Sequence, residues 1–138
     1  MPHTILVGVD GSDSSRRAAE AAAELAASTG ATLHVMMASD ERQRNPEGEY
    51  LGDVRIQSDA EAIATEIAES LSGITAKVHA GLAHGKPGEA LVTMAKDIGA
   101  DLIVVGNRRV QGIGRILGSV ASDVAQHAPC DVYVVKTV

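Results

Sequence analysis

Phenylalanine and tryptophan are missing from this sequence, and tyrosine occurs only at Tyr50 and Tyr133. Any core must therefore be filled by small and branched aliphatic side chains, which favours close packing of helices on a sheet. Cysteine occurs once, at Cys130, so an internal disulfide is excluded. Cys130 follows Pro129 and reads as a small apolar packing residue. No apolar run is long enough to span a bilayer. The opening MPHTILVGVDG has neither a basic lead nor a long apolar stretch, so no signal peptide is expected. A cytoplasmic protein with no membrane partner follows as the expectation. Positive charge is also scarce: 12 Lys and Arg stand against 18 Asp and Glu, a net charge of −6. That balance speaks against a nucleic-acid partner, although a local basic loop survives it. No His or Cys cluster has the spacing of a metal site. No nucleophile stands beside a base, so the chain is not expected to be an enzyme.

What is present suits one globular domain covering residues 1–138, with 45% hydrophobic residues. TILVGVD (Thr4 to Asp10) is nearly continuous in apolar residues, as a parallel strand covered on both faces should be. Asp10-Gly11-Ser12 reads as a turn, with Ser12 or Asp13 capping a helix that runs to about Ser28 and is closed by Gly30. Ala31 to Ala38 is a second strand. SDERQRNPEGEYLG, the most polar stretch, reads as a long loop or flap. A helix from about Asp53 to Leu71 carries Ile56, Ala60, Ile63, Ile67 and Leu71 at helical spacing. Ile74 to Gly81 reads as a third strand, LAHGKPG as a turn-rich link, and Glu89 to Ile98 as a helix. Asp101 to Val105 is a fourth strand, Ser119 to His127 a fourth helix, and Asp131 to Thr137 a fifth strand. His127 is read as a residue favoured by that helix's C-terminal dipole rather than as a catalyst.

Strict strand–helix alternation predicts an α/β fold with a parallel sheet, helices on both faces and right-handed crossovers. Ligands bind such sheets outside the carboxyl ends of the strands, where the winding reverses. Two stretches end strands in that way. One is Asp10 after the first strand. The other is GNRRVQGIGRILGS, Gly106 to Ser119, joining the fourth strand to a helix. A helix amino end has unpaired N–H groups and positive dipole character, which suit an anion. Gly106, Gly112, Gly114 and Gly118 permit sharp turns or close approach, while Arg108, Arg109 and Arg115 add charge. The dipole contributes only about 0.3–1 kcal/mol, so several groups must act together.

ILVGVDGSDSS, ADLIVVGNRR and LGSVASDV followed by HAPCDVYVVK together resemble the universal stress protein family, over essentially the whole chain and in the family's order. The resemblance implies a Rossmann-like (adenine nucleotide alpha hydrolase-like) five-stranded sheet of order 3-2-1-4-5. It also implies a homodimer paired through the last strand, Val132, Tyr133, Val134 and Val135. Many members bind ATP, with Mg2+ as its companion, and some related ones bind AMP or cyclic AMP. The family's nucleotide binders resemble one another in a loop of Gly, two residues, Gly, nine residues, Gly, then Ser or Thr. Here Gly106 matches the first glycine, Arg109 stands at the second, and Gly118-Ser119 arrives one residue early. Arg109 either reaches a phosphate or fills its space.

Carried over by position, Asp10 contacts the ribose or adenine side, Gly8 and Val9 line the base pocket, and Val35 packs on the adenine. Val105 and Gly106 form the floor. Arg108, Gly118, Ser119 and Val120 contribute to the phosphate cradle. The implied function is an adenine-nucleotide-binding sensor or regulator of stress response. A homodimeric interaction protein without nucleotide is the alternative, and a slow ATP hydrolase is a third reading.

Overall fold

The computed structural model describes residues 2–39, 50–107 and 118–137, with residues 39 and 50–58 as backbone only. Residues 40–49 of the expected flap lie outside the described residues, as do Arg108, Arg109, Gly112, Gly114 and Arg115 of the glycine loop. Among the described residues, five strands alternate with four helices. They are β1 (Thr4–Val9), α1 (Asp13–Thr29), β2 (Thr32–Ser39), α2 (Tyr50–Leu71), β3 (Val78–His84), α3 (Pro87–Ile98), β4 (Leu102–Gly106), α4 (Ser119–His127) and β5 (Asp131–Val135). All neighbouring strands are parallel, and their order is β3-β2-β1-β4-β5. This is the expected α/β fold, including the strand order.

Both faces of the sheet are covered, and side-chain parity divides the core. Ile5, Val7, Val9, Leu33, Val35 and Val104 point to one layer, where they meet α1 and α2. Leu6, Met36, Ile103 and Val105 point to the other, against Leu91, Val92 and Ala95 of α3 and Ala121 and Val124 of α4. α1 meets the sheet through Ala18, Ala19, Ala22, Ala23 and Ala26, all fully buried. A face of methyl groups lets the helix axis approach the sheet closely, so the core needs no aromatic ring.

α1 starts as its sequence dictates. Ser12 is the N-cap, and its hydroxyl accepts from the Ser15 N–H at 3.1 Å. Gly30 closes the helix in the left-handed region at φ 75°, and its N–H donates to the Ala26 carbonyl. Replacing Ser12 by alanine should cost about 1 kcal/mol, read as a lower midpoint in urea with an unchanged slope.

Three elements differ from expectation. α2 begins at Tyr50, three residues before Asp53, and so takes in the last three residues of the expected flap. β3 begins at Val78, four residues later than Ile74, and runs on through His84. Ile74 and Thr75 instead finish α2, their N–H groups donating to the Leu71 carbonyl at 2.9 and 3.1 Å. Leu82, Ala83 and His84 belong to the strand because they pair with Met37, Ala38 and Ser39. α3 begins at Pro87 rather than Glu89, since a proline at the first helical position loses no intrahelical bond.

His34 on β2 and His79 on β3 are register partners, with ring centroids 5.3 Å apart. Burial, and then the charge of His79, holds the His34 imidazole below its ordinary pKa of 6.5. The unfolded chain therefore takes up that proton first as pH falls. His34's contribution is full above the unfolded value and is lost as pH falls from there through the lower folded value. Thermal midpoints should decline as pH falls below about 6.5, and His34→Gln should flatten that slope.

Candidate functional site

β1 lies between β2 and β4, so the winding of the sheet reverses at the β1–β4 boundary. A cleft of about 180 Å³ opens there, at the carboxyl ends of the strands. Its walls differ in chemistry. Met36, Ala38, Leu91, Val105 and Val120 make an apolar side, while Asp10, Ser12, Ser14, Ser15 and Ser119 supply polar groups.

The β1–α1 turn presents Asp10 by local bonds. Asp10 Oδ1 accepts from the Ser12 N–H at 2.9 Å, and the Asp10 N–H donates to Ser15 Oγ at 3.1 Å. Ser15 Oγ in turn donates to the Ser12 carbonyl at 3.0 Å. Gly11 takes φ 85°, a left-handed value that glycine adopts without a Cβ penalty. Asp10 is thus fixed as a turn residue and also faces the cleft; its two expected roles are compatible.

On the other side, Gly106 ends β4 within reach of α1. A Cβ at this position would stand 3.0 Å from Ser14 Oγ and 3.4 Å from Thr137 Oγ1. A side chain here would fit only if Ser14 gave way by a few tenths of an ångström. α4 begins beside it. Its N-cap is Gly118, with no side-chain cap hydrogen bond and no acidic residue in the first turn. Ser119, Val120 and Ala121 of that first turn line the cleft. The first-turn N–H groups and positive dipole end of α4 therefore lie at a wall of the cleft.

The fold brings together Gly8, Val9, Asp10, Val105, Gly106, Ser119 and Val120 in one cleft. Gly118 adjoins it as the N-cap at φ −69°, an ordinary backbone value that demands no glycine. Val35 is a correction. It is fully buried in the layer facing α1 and α2, so it cannot pack on a ligand. Its neighbour Met36 points the other way and lines the cleft with Ala38. Ser12, Ser14, Ser15, Pro87, Leu91 and Ala121 complete the lining. The serines could have been found from GSDSS, because the first turn of a helix that follows a strand faces the same crevice. Pro87 and Leu91 carry no such local signal.

Elsewhere, His127 Nδ1 bonds the Asp123 carbonyl at 3.0 Å, one turn back at the end of α4. Cys130 packs against the α3–α4 layer. Burial first, then Asp131 and Asp101, push its thiol pKa up, the opposite of an activated thiolate. Among the described residues, no group of three or more His, Cys, Asp or Glu could hold a metal ion. No described helix is long and apolar enough to cross a membrane.

A sequence model of the universal stress protein family matches residues 1–136. The chain belongs to the universal stress protein family. It is 36% identical over 143 residues to universal stress protein Rv1636 of Mycobacterium tuberculosis, covering 97% of this chain and 96% of that protein. Among solved structures, a universal stress protein in complex with cyclic AMP superposes with a TM-score of 0.79 at 35% identity, over 99% of both chains. The Archaeoglobus fulgidus universal stress protein in complex with dAMP gives 0.67 at 26% identity, over 97% of this chain and 98% of that one.

Proposed function

We propose that this universal stress protein binds an adenine nucleotide in the β1–β4 cleft and acts as a cytoplasmic sensor or regulator rather than an enzyme. The observation that carries the reading is the cleft's division. An apolar wall of Met36, Leu91 and Val105 suits a purine, and the amino end of α4 with the Ser119 hydroxyl suits ribose and phosphate. Family members in complex with cyclic AMP and dAMP support the adenine choice. Cyclic AMP and AMP are the first candidates. ATP, with Mg2+, is the third candidate. Calorimetric titration with cyclic AMP, AMP and ATP tests the reading. Saturable heat that weakens in Asp10→Ala supports it, and no heat with any of the three removes it. Phosphate release measured alongside ATP binding separates a regulator from a slow hydrolase.

A second copy of the chain is the proposed protein partner, through the outer edge of β5. Tyr133 is 44% exposed there, and the edge from Val132 to Val135 has no strand beyond it among the described residues. Sedimentation should give a dimer at micromolar concentration, and Tyr133→Lys should shift it towards monomer. A monomer in the unchanged protein would discard this pairing.

A further inference from the structure

Behind the polar wall of the cleft lies a hydrogen-bonded cluster that the nucleotide reading does not use. Thr137, two residues beyond β5, is at its centre and is only 5% exposed. Its N–H donates to Asn107 Oδ1 at 2.8 Å, and its hydroxyl donates to the same oxygen at 3.2 Å. With that hydroxyl proton committed, the Ser14 hydroxyl donates to Thr137 Oγ1. Arg17 Nη1 donates to the Thr137 carbonyl at 3.0 Å. The Asn107 N–H closes the circuit by donating to the Val135 carbonyl at 3.0 Å.

These bonds join three parts of the chain: the first turns of α1, the residue after β4, and the residues after β5. The β4–β5 ladder ends at Gly106 and Val135. Beyond it, the cluster holds the two strands' continuations together and against α1. Two of the groups it holds, Ser14 and Gly106, line the cleft. Gly106 sits directly on the cluster, since a Cβ there would meet both Ser14 Oγ and Thr137 Oγ1. Among the described residues, no buried side-chain polar atom lacks a partner, so the cluster is fully satisfied. Removing one hydroxyl leaves others unpaired in a buried place, and they would move to recover a partner.

We infer that the Ser14–Thr137–Asn107 cluster is a clasp that sets the floor of the cleft. Thr137 and Asn107 act as positioning residues for ligand, through Ser14 and Gly106. This rests on the adenine-nucleotide reading. It adds that the end of β5, which does not line the cleft, controls affinity there.

The test compares Thr137→Val, which keeps the shape and loses the hydroxyl, with Thr137→Ser, which restores it. Ile67→Val serves as a control, destabilising α2 away from the cleft. Calorimetry with cyclic AMP and with ATP gives Kd, and amide hydrogen exchange of the ligand-free proteins reports on Asn107. The clasp predicts that Thr137→Val weakens binding by roughly three- to tenfold. Thr137→Ser should stay within about twofold and Ile67→Val should bind as the unchanged protein does. Unaltered Kd in Thr137→Val overturns the inference. Should the unchanged protein bind neither nucleotide, the nucleotide reading fails, and the clasp is judged on exchange alone. Faster exchange of the Asn107 N–H in Thr137→Val, but not in Ile67→Val, sustains it as the anchor of this floor. Equal exchange in all the proteins rejects it.

Discussion

Replacing Gly8 by alanine is expected to lower stability by about 1–3 kcal/mol and to weaken nucleotide binding at least tenfold. The added Cβ would stand 2.5 Å from Leu91 Cδ1, 3.0 Å from Cδ2 and 3.3 Å from Cγ. No rotation about the terminal bond of Leu91 relieves all three. Either α3 moves away from the sheet, or the Leu91 side chain swings aside. Leu91 is 3% exposed, and the open space next to it is the cleft. The collision is therefore relieved by opening the core or by filling the place meant for ligand. A thermal midpoint lower by roughly 3–10 °C, measured beside calorimetric Kd, checks both effects. Leu91→Ala combined with Gly8→Ala removes the clash. The double variant should be less destabilised than the sum of the two single ones. Simple additivity would mean that Gly8 and Leu91 do not press on one another.

The second large effect separates two adjacent residues. Met36→Ala should cost about 2–5 kcal/mol of stability and also weaken nucleotide binding. At about 0.8 kcal/mol per buried methylene, losing one or two such contacts with a purine lowers affinity by roughly four- to tenfold. Val35→Ala should cost about 1–3 kcal/mol and leave Kd within about twofold. The reason is direction alone. Met36 points towards α3 and the cleft, whereas Val35 is sealed beneath α1 and α2. Urea unfolding and calorimetry on both variants decide the matter. A weakened Kd in Val35→Ala with Met36→Ala binding normally would reverse this assignment of faces.

Val35 also shows where reading the sequence stops. The strands were legible because TILVGV, TLHVMMA and LIVVG are rich in branched apolar residues and are bounded by turn formers. The helices were legible from alanine and isoleucine at helical spacing, with Ser12 and Gly30 marking the ends of α1. In a strand buried on both faces, however, apolar character no longer says which side chain points where. Val35 and Met36 are equally suited to either layer, and only the register with β1 decides between them. β3 was misplaced for a related reason. Ile74 looks like strand, yet it wraps the end of α2 and stays 38% exposed. Leu82 to His84 look like a link because Gly85 and Pro87 follow, yet they pair with β2.

Within the site, the residues on strand ends and on the first turn of α4 were legible because topology alone sends them to one crevice. Asp10 and Ser119 fall in this group. Leu91 and Pro87 were not, since they reach the cleft through the packing of α3 across the sheet. Thr137 and Asn107 were hidden further. They are 30 residues apart and meet Ser14 only when β5 lies beside β4.

The central claim is that adenine nucleotide occupies the crevice where the sheet reverses its winding. Amide chemical-shift mapping of the labelled protein, titrated with cyclic AMP and then with ATP, tests it most directly. A second, polar groove lies between α1 and α2, lined by Arg16, Glu20 and Ser70. The account predicts saturable shifts concentrated at Gly8 to Asp10, Gly106 and Ser119 to Ala121, with that groove undisturbed. Shifts centred on that groove, or no shift at saturating nucleotide, would contradict it.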